Sequence, residues 1–272
     1  MDGGRIVFLA VAVAVFGSLT SAQDTCAKKT YTIAVGHDFG AHEYIDNTGY
    51  LAGFHLELID AVCTEAGMDC RTVWDKYSNC WAVTAGQPAH GGMGLFGKWY
   101  DACTGWYKTV GRVQVFSFAR PHTKAPLSAF YIKNGGTSVT VSTLTGKTIG
   151  FVEGWASDEA CVRRQQGSST SFTAKNVPTP TDMVAQLKSG AIDAGFASVH
   201  DMAPYASEVT KVTGGEFSCM LSGSSMMTRK DNDFISKWEA GLDKLISSGK
   251  FKKICDAASI HSSRGSIDCV NG

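Results

Sequence analysis

An arginine stands in the middle of an apolar and aromatic stretch, GWYKTVGRVQVFSFARPH, which covers residues 105–122. Arginine is rarely buried without a partner. Its planar guanidinium can grip a carboxylate with two charge-assisted hydrogen bonds. The stretch therefore predicts that Arg112 contacts a carboxylate, which is supplied either by a small ligand or by an Asp or Glu of the chain itself.

Motifs for other chemistry are weak. Residues 91–97, GGMGLFG, contain the pattern G-x-G-x-x-G, but the sequence around them predicts neither a preceding strand nor a following βαβ unit, so they do not indicate a nucleotide site. There is no G-x-S-x-G or H-E-x-x-H pattern, and His37, His42 and His90 are scattered. We therefore expect no catalytic residue, no metal site and no cofactor.

The first 22 residues predict a signal peptide. Residues 6–16 read IVFLAVAVAVF, and the small residues TSA at 20–22 suit cleavage before Gln23. The apolar run is shorter than the roughly 20 residues that span a bilayer. We therefore expect a secreted, extracellular protein, periplasmic if its source is bacterial, that does not insert into a membrane.

The charge balance excludes some partners. Lysine plus arginine and aspartate plus glutamate number 25 each, so no bulk charge attracts the protein to nucleic acid or anionic lipid. A hydrophobic content of 44% with 18% charged residues is typical of an ordinary globular protein.

All nine cysteines lie beyond the predicted signal peptide, which in a secreted chain indicates disulfides. They form no CxxC pair and have no zinc-finger spacing. Because the number is odd, one thiol stays free or pairs with another chain, so a disulfide-linked dimer is the alternative to the expected monomer.

Strand and helix patterns alternate along the mature chain. Apolar residues recur at helical spacing before Gly67, and Thr181 offers a cap for a second helix. This alternation predicts an α/β architecture with mainly parallel sheets. The predicted helices cover 53–67, 181–189 and 233–248, and the predicted strands cover 29–35, 70–74, 127–133, 147–154 and 191–198.

Six segments occur in an order that is typical of one family. They are NTGYLAGFHLELIDAVC at 47–63, DACTGWYKTVGR at 101–112, Phe116-Ser117 with Pro121, GKTIGFVEGWASDEA at 146–160, LKSGAIDAGFAS at 187–198, and SGSSMMTRKDNDFISKWEAGLDKLISSGKFKKI at 222–254. Together they resemble the polar amino-acid-binding branch, family 3, of the type 2 periplasmic solute-binding proteins. Ionotropic glutamate receptor ligand-binding domains share that fold.

The resemblance implies two lobes joined by two crossovers. Lobe 1 would consist of residues 23–122 and 227–272, and lobe 2 of residues 123–226, after a signal peptide at 1–22. It also implies a helix-to-strand disulfide between Cys63 and Cys70, and it leaves Cys161 and Cys219 to pair within lobe 2. Cys80–Cys103 and Cys255–Cys269 are further candidate pairs, which would leave Cys26 as the odd thiol.

The resemblance also implies a ligand site. Arg112 would hold the ligand's α-carboxylate, and Gly105 and Thr109 would complete its cradle. Ser157, or the amides around Gly154-Trp155-Ala156, would close over the same group from lobe 2. The family's Gly-Thr is replaced here by Gly154-Trp155, so Trp155 offers an aromatic face instead of a hydroxyl. Arg112 also lies closer to Phe116 than in the common pattern.

The largest departure concerns the ligand's amine. The family position that holds an aspartate corresponds to Ser198 here. A neutral hydroxyl gives up a charge-assisted contact worth roughly 1.5–3 kcal/mol. Asp201 could substitute, and Glu153, Asp38 and Glu43 are other candidates. The ligand is then either a modified amino acid or carboxylate, or its amine meets an unexpected acid.

Several aromatic residues would lie near such a cleft. They could enclose a cationic or planar ligand by cation–π contact. Trp106 is the strongest candidate, since it directly follows the matched glycine. The set is Phe39, Tyr44, Trp74, Trp106, Tyr107 and Trp155.

Three functions follow from these observations. The first is a secreted binding protein that closes two lobes on a carboxylate-bearing small molecule, an amino acid or a derivative. The second is a dehydratase-like lyase on the same scaffold, with Glu153 or Asp201 as its acid or base. The third is a recruited extracellular interaction protein.

Overall fold

The computed structural model describes residues 28–36, 40–83, 88–153, 155–166, 171–260 and 267–270. Within these residues the chain forms two five-stranded sheets and two small two-stranded ones. The predicted signal peptide, Cys26, Phe39 and Gly154 lie outside the described residues. None of the helices in the described ranges is long and apolar enough to cross a membrane.

The chain up to residue 118 supplies most of lobe 1. Its alternating apolar segments become strands, and the helix predicted before Gly67 is present. The elements are β1 (Thr30–Val35), β2 (Tyr44–Ile45), β3 (Leu51–Ala52), α1 (Phe54–Ala66), β4 (Asp69–Trp74), β5 (Trp81–Ala82), β6 (His90–Gly91), α2 (Met93–Phe96), β7 (Ala102–Trp106), α3 (Val110–Val115) and β8 (Phe116–Phe118).

The next hundred residues build lobe 2, and the chain then returns to lobe 1. Lobe 2 contains β9 (Ser128–Lys133), β10 (Thr148–Val152), α4 (Ala156–Gln166), β11 (Thr173–Val177), α5 (Pro180–Ser189), β12 (Ala194–Ser198), α6 (Val199–Met202) and β13 (Val209–Phe217). The return segment contains β14 (Ser225–Arg229), α7 (Phe234–Ser247) and α8 (Lys250–Ile260). Because β14 begins at Ser225, the chain is back in the lobe 1 sheet before residue 227.

The two sheets share one plan. Lobe 1 has the order β4-β1-β7-β14-β8, and lobe 2 has the order β11-β10-β12-β9-β13. In lobe 1 only β14 runs antiparallel to its neighbours, and in lobe 2 only β9 does. Each of these two strands directly follows a crossover. The predicted two-lobed α/β fold with mainly parallel sheets is therefore confirmed.

The ends of two helices show how local sequence sets them. Gly67 adopts the left-handed φ of 64° and its N–H closes α1 on the carbonyls of Cys63 and Thr64, as the predicted glycine stop requires. The predicted cap of α5 is wrong. Thr179, not Thr181, accepts the N–H of Asp182, because Pro180 is the first residue of the helix and not a residue before it.

Each lobe has its own core. In lobe 1, α1 and α7 pack on the sheet through fully buried side chains such as Val62, Phe234 and Trp238. In lobe 2, one cluster contains Phe130, Phe151 and Phe196 on one side of the sheet. Two separately packed cores with a cleft between them are the arrangement that permits lobes to move relative to each other.

The two crossovers run side by side. His122 N–H donates to the carbonyl of Ser224 at 2.9 Å, and Ala119 N–H donates to that of Met226 at 3.0 Å. Gly223 is packed so tightly that a Cβ there would lie 1.5 Å from the carbonyl oxygen of Thr123. The paired crossovers therefore form a compact hinge.

Four disulfides close the described chain. The structure pairs Cys63 with Cys70 and Cys161 with Cys219. These are the two pairs that the family resemblance and the lobe division implied. Cys80–Cys103 and Cys255–Cys269, the two further candidates, are also bonded. Three disulfides lie in lobe 1 and one in lobe 2, and none of the four crosses the cleft.

Candidate functional site

A cavity of about 450 Å³ lies between the lobes. Aromatic and acidic side chains are prominent in its wall, and Lys76 is the basic residue among them. Lobe 1 supplies Gly36, Lys76, Tyr77, Ser78, Trp81, Val83 and Gly105, and lobe 2 supplies Val152, Glu153, Trp155, Pro178, Thr179, Pro180, Thr181, Asp201 and Tyr205.

The sheet edges position this wall. Gly36 follows β1, Gly105 lies at the end of β7, and Glu153 follows β10, so the cavity faces the carboxyl ends of parallel strands. Gly105 has a left-handed φ of 82°, and a Cβ there would lie 3.2 Å from Cε1 of His55. Glycine is therefore required at this point of the wall.

Arg112 lies behind the lobe 1 wall. Its Nη1 donates to the carbonyl of Tyr107 at 2.9 Å, and its guanidinium lies 4.6 Å from the ring centroid of Trp106. It also hydrogen-bonds to the side chain of Tyr77, which does line the cavity. Burial lowers the pKa of Arg112, whereas Tyr77 and the charge of Asp158 act to raise it. The guanidinium is thus one aromatic ring away from the cavity.

The other predicted site residues divide into two groups. Gly105, Trp155 and Asp201 line the cavity. Among the described lining residues we do not find the remaining four, which make contacts inside the protein. The ring of Trp106 stacks on that of Tyr77 with ring centroids 3.9 Å apart. Thr109 Oγ1 caps α3 and Ser198 Oγ caps α6. Ser157 Oγ lies 3.1 Å from Sδ of Met220.

Three buried polar side chains come together at the lobe 2 side of the cleft. Tyr107 reaches from lobe 1 into a lobe 2 cluster, where its ring lies 5.2 Å from that of Trp155. Asp158 accepts a hydrogen bond from Ser128 Oγ at 3.1 Å. Burial raises the pKa of Asp158 to about 7, and burial together with the charge of Asp158 raises the pKa of Asp201 well above its usual range.

A cluster of histidines, which we call the hinge histidines (His42, His55, His122 and His200), lies near the crossovers. Glu43 Oε2 can only accept, so His55 donates to it from Nδ1 at 3.3 Å. Nε2 of His55 then accepts from Nε2 of His122 at 3.1 Å, and Ser224 Oγ lies 3.3 Å from the same nitrogen of His122.

The hinge histidines join several elements. His55 belongs to α1, and His122 and Ser224 belong to the two crossovers. His42 stacks on His200 of lobe 2 with ring centroids 5.9 Å apart. Burial lowers the pKa of His55 to about 3 and that of His122 well below its usual range. The rings of His55 and His122 are therefore neutral near pH 7.

Sequence reasoning missed most of these side chains. His42 was interpreted as one of several scattered histidines, but it is buried beside His55. The cluster residues are separated by up to 158 positions in the sequence, so no local pattern links them. Within the part of the chain that is described, no group of three or more His, Cys, Asp or Glu residues has the geometry to hold a metal ion.

Known structures with the same fold are numerous. A periplasmic binding protein of Salmonella typhimurium with high arginine specificity is 19% identical and aligns over 84% of this chain and 98% of its own, with a TM-score of 0.68. ArtJ of Geobacillus stearothermophilus, which binds arginine, lysine and histidine, is 21% identical over 87% of this chain and 97% of its own, with a TM-score of 0.67.

The fold also serves receptors. A histidine kinase sensor domain with similarity to periplasmic binding proteins is 18% identical over 85% of this chain and 96% of its own, with a TM-score of 0.70. At these identities the likeness shows the fold alone. The family profile is more specific, since that of the bacterial extracellular solute-binding proteins, family 3, matches residues 31–257. The chain therefore belongs to the bacterial extracellular solute-binding proteins, family 3.

Proposed function

We propose that this protein is a secreted binding protein whose two lobes close around a small carboxylate-bearing ligand, an amino acid or a derivative. The observation that carries the proposal is the cavity of about 450 Å³ to which both lobes contribute. Ligand sites are typically concave, largely preformed and about 300–1,000 Å³ in volume. The cavity lies within that range and has room for a free amino acid.

Arg112 is the proposed carboxylate anchor. In its present hydrogen bond to the hydroxyl of Tyr77 only the guanidinium is charged, whereas a carboxylate would add the opposite charge and could accept two parallel bonds. A ligand carboxylate that displaces the Tyr77 side chain would therefore gain the guanidinium. Tyr77 also lines the cavity, so the displacement needs only a local movement.

The hinge supports a closing motion. The lobes have separate cores, and the two crossovers that connect them are short and paired. Tyr107 and Trp155, which approach each other from opposite lobes, would separate when the cleft opens. Closure of two rigid lobes about such a hinge buries a ligand without rearranging either core.

The family supports binding over catalysis. Its members are binding proteins and not enzymes, and two of the structural neighbours bind arginine, one of them also lysine and histidine. The dehydratase alternative is therefore not proposed. We propose secretion from the signal peptide at residues 1–22, and a monomer in solution, with Cys26 as the thiol that could link two chains.

A thermal-shift screen of the protein without residues 1–22 tests this function. The panel pairs L-arginine with agmatine, which lacks the carboxylate, and adds L-lysine, L-glutamine and L-glutamate. A ligand at a hundred times its Kd stabilises by about 2.7 kcal/mol. For a protein of this size we expect a rise in Tm of about 5–10 °C.

Arginine variants locate the anchor. Arg112→Ala should abolish the shift, whereas Arg164→Ala, at an exposed arginine of α4, should retain it. A folded wild type that shows no shift with any panel member contradicts the proposed function. An equal shift with agmatine and L-arginine contradicts the role of Arg112 as carboxylate anchor.

A further inference from the structure

Asp201 presents a buried carboxylate to the inter-lobe cavity. Its side chain lines the cavity although the residue is only 5% exposed. Among the residues that the structure describes, its Oδ2 has no hydrogen-bond partner. A carboxylate oxygen that is removed from water and left without a partner is costly, so such an oxygen in a native protein needs an explanation.

Two more unpartnered oxygens accompany it. Asp158 is completely buried, and only its Oδ1 is engaged, by Ser128; its Oδ2 has no partner within the described ranges. The hydroxyl of Tyr107 also has no partner within the described ranges, and this residue is 1% exposed. The charges of Asp201 and Asp158 act on its hydroxyl and help to raise its pKa. The three side chains come from both lobes, so the group exists only when the cleft is closed.

The chemistry of this group favours a positively charged nitrogen. Two carboxyl groups and one hydroxyl supply several acceptors, and an ammonium or guanidinium supplies several donors and the opposite charge. The adjoining wall adds Glu153 and the faces of Trp155 and Tyr205, which suit a cation as well. Ser198 is the position where the family resemblance placed the amine-binding acid, but its hydroxyl accepts the N–H of His200 and caps α6.

We infer that Asp201, Asp158 and Tyr107 form the subsite for a cationic nitrogen of the ligand, and that filling this subsite releases a proton. The inference rests on the proposed binding function. It assigns the cation to Asp201, one turn beyond the expected position.

The proton step follows from the electrostatics of the empty site. Burial and the neighbouring carboxyl raise the pKa of Asp201 well above its usual range, so an unliganded site holds a proton on the acid pair. An arriving cation favours the ionised form. The carboxyl O–H bond then breaks, the proton passes to the solvent buffer, and the carboxylate accepts from the ligand's N–H.

Titratable groups from both lobes face the acid pair of Asp201 and Asp158. Tyr107 and Arg112 approach from lobe 1, together with Tyr77 and Lys76 of the cavity wall, and Tyr131, Glu153, Tyr205 and His200 belong to lobe 2. Burial lowers the pKa of His200, so this ring is neutral near pH 7. Burial raises the pKa of Tyr77, Tyr107 and Tyr131, so these hydroxyls keep their protons and the acid pair is the source of the released proton.

Titration calorimetry with L-arginine at pH 7 tests the inference. The binding enthalpy of the wild type should differ between phosphate and Tris buffer, because the buffer takes up the released proton and the two buffers have different protonation enthalpies. The difference should correspond to at most one proton per ligand. Its affinity should rise by up to tenfold for each pH unit between pH 5 and 7. Asp201→Asn should weaken binding at least tenfold and lose both dependences. Asp256→Asn, at an exposed acid on α8, is the matched control and should behave as the wild type.

Two analogues identify which nitrogen enters the subsite. Nα-acetyl-L-arginine lacks the α-ammonium, and L-citrulline lacks the guanidinium charge. The analogue whose affinity is insensitive to Asp201→Asn lacks the nitrogen that this carboxylate holds. Tyr107→Phe, which removes only a hydroxyl, should weaken L-arginine several-fold and guards against a folding defect in the aspartate variant.

The outcomes separate the two proposals. Binding of L-arginine that is unchanged by Asp201→Asn overturns the cation subsite and leaves the binding function standing. A folded wild type that binds no panel member overturns both.

Discussion

The hinge and the cleft both bury ionisable side chains, and both leave polar atoms without a partner in the described ranges, including Nδ1 of His122 and of His200 at the hinge. They differ because two of the hinge rings also bond to each other, whereas Asp201 of the cleft lines a cavity. At the hinge, His55 and His122 hydrogen-bond to each other and to Glu43 and Ser224. Asp201, which lines the cavity, and Asp158, whose charge acts on it, each keep an oxygen that meets no partner in the described part of the chain. Both pairs lie almost entirely out of water.

This difference separates structure from function. A buried polar group whose bonds are made within the protein stabilises one arrangement of the backbone, here the junction of α1 with both crossovers. A buried polar group with an unmade bond beside a cavity can be satisfied only by something that enters. On the proposed function, the hinge histidines are a fixed support and the cleft acids are the part that responds to a ligand.

The two regions also oppose each other in their dependence on pH. Burial holds the pKa of His55 at about 3, below the ordinary value near 6.5. As pH falls below 6.5, the unfolded chain takes up a proton that the folded chain refuses, so the stability from this group is lost toward pH 3. The cleft acids have raised pKa values, and their contribution changes with the opposite sign.

The largest effect is expected at His55. His55→Gln should destabilise most at pH 7, because it breaks a fully buried network. The free-energy difference from the wild type should then shrink by about 1.4 kcal/mol per pH unit below 6.5, toward a limit of about 5 kcal/mol in total. Denaturant unfolding at several pH values measures it.

The control is a histidine outside the hinge. His90 is exposed, so the difference between His90→Gln and the wild type should be small at every pH. If the difference in unfolding free energy between His55→Gln and the wild type is equally independent of pH, the His55 ring is not held neutral. The proposed contrast between hinge and cleft would then be wrong at the hinge.

A smaller effect of opposite sign is expected at Asp158. Its pKa of about 7 means that the folded chain retains a proton that the unfolded chain releases above about pH 4. Stability from this group is therefore present below pH 4 and lost as pH rises through 7. Relative to the wild type, Asp158→Asn should gain about 1.4 kcal/mol per pH unit over that interval, about 4 kcal/mol at most.

The same unfolding series checks it. Asp256→Asn supplies the exposed counterpart, for which no such gain is expected. A variant at Asp158 that is less stable than the wild type at pH 8 would show that the carboxylate is satisfied inside the folded protein. The cleft would then resemble the hinge.

Sequence reasoning succeeded where the determinants are local. Apolar periodicity and the glycine stop at Gly67 predicted α1, and the order of segments predicted the two-lobed fold. It failed at the cap of α5, where two threonines flank Pro180 and only the backbone geometry selects Thr179.

The site was harder to predict because it depends on distant contacts. The sequence singled out Arg112 and Asp201, but it could not show that Tyr77 separates the first from the cavity while the second lines it. Asp158 had no signal at all, since its importance comes from burial beside Ser128 on another element. Burial and partnership of this kind are properties of the folded chain.

The most direct test of the central claim is a crystal structure of the protein grown with L-arginine. We expect a ligand nitrogen within hydrogen-bonding distance of the Asp201 carboxylate, roughly 2.7–3.2 Å, with the contact between His55 and His122 unchanged. A ligand that lies in the cavity with no nitrogen near Asp201, or a hinge that rearranges its histidines around the ligand, would contradict the division between a responsive cleft and a fixed hinge.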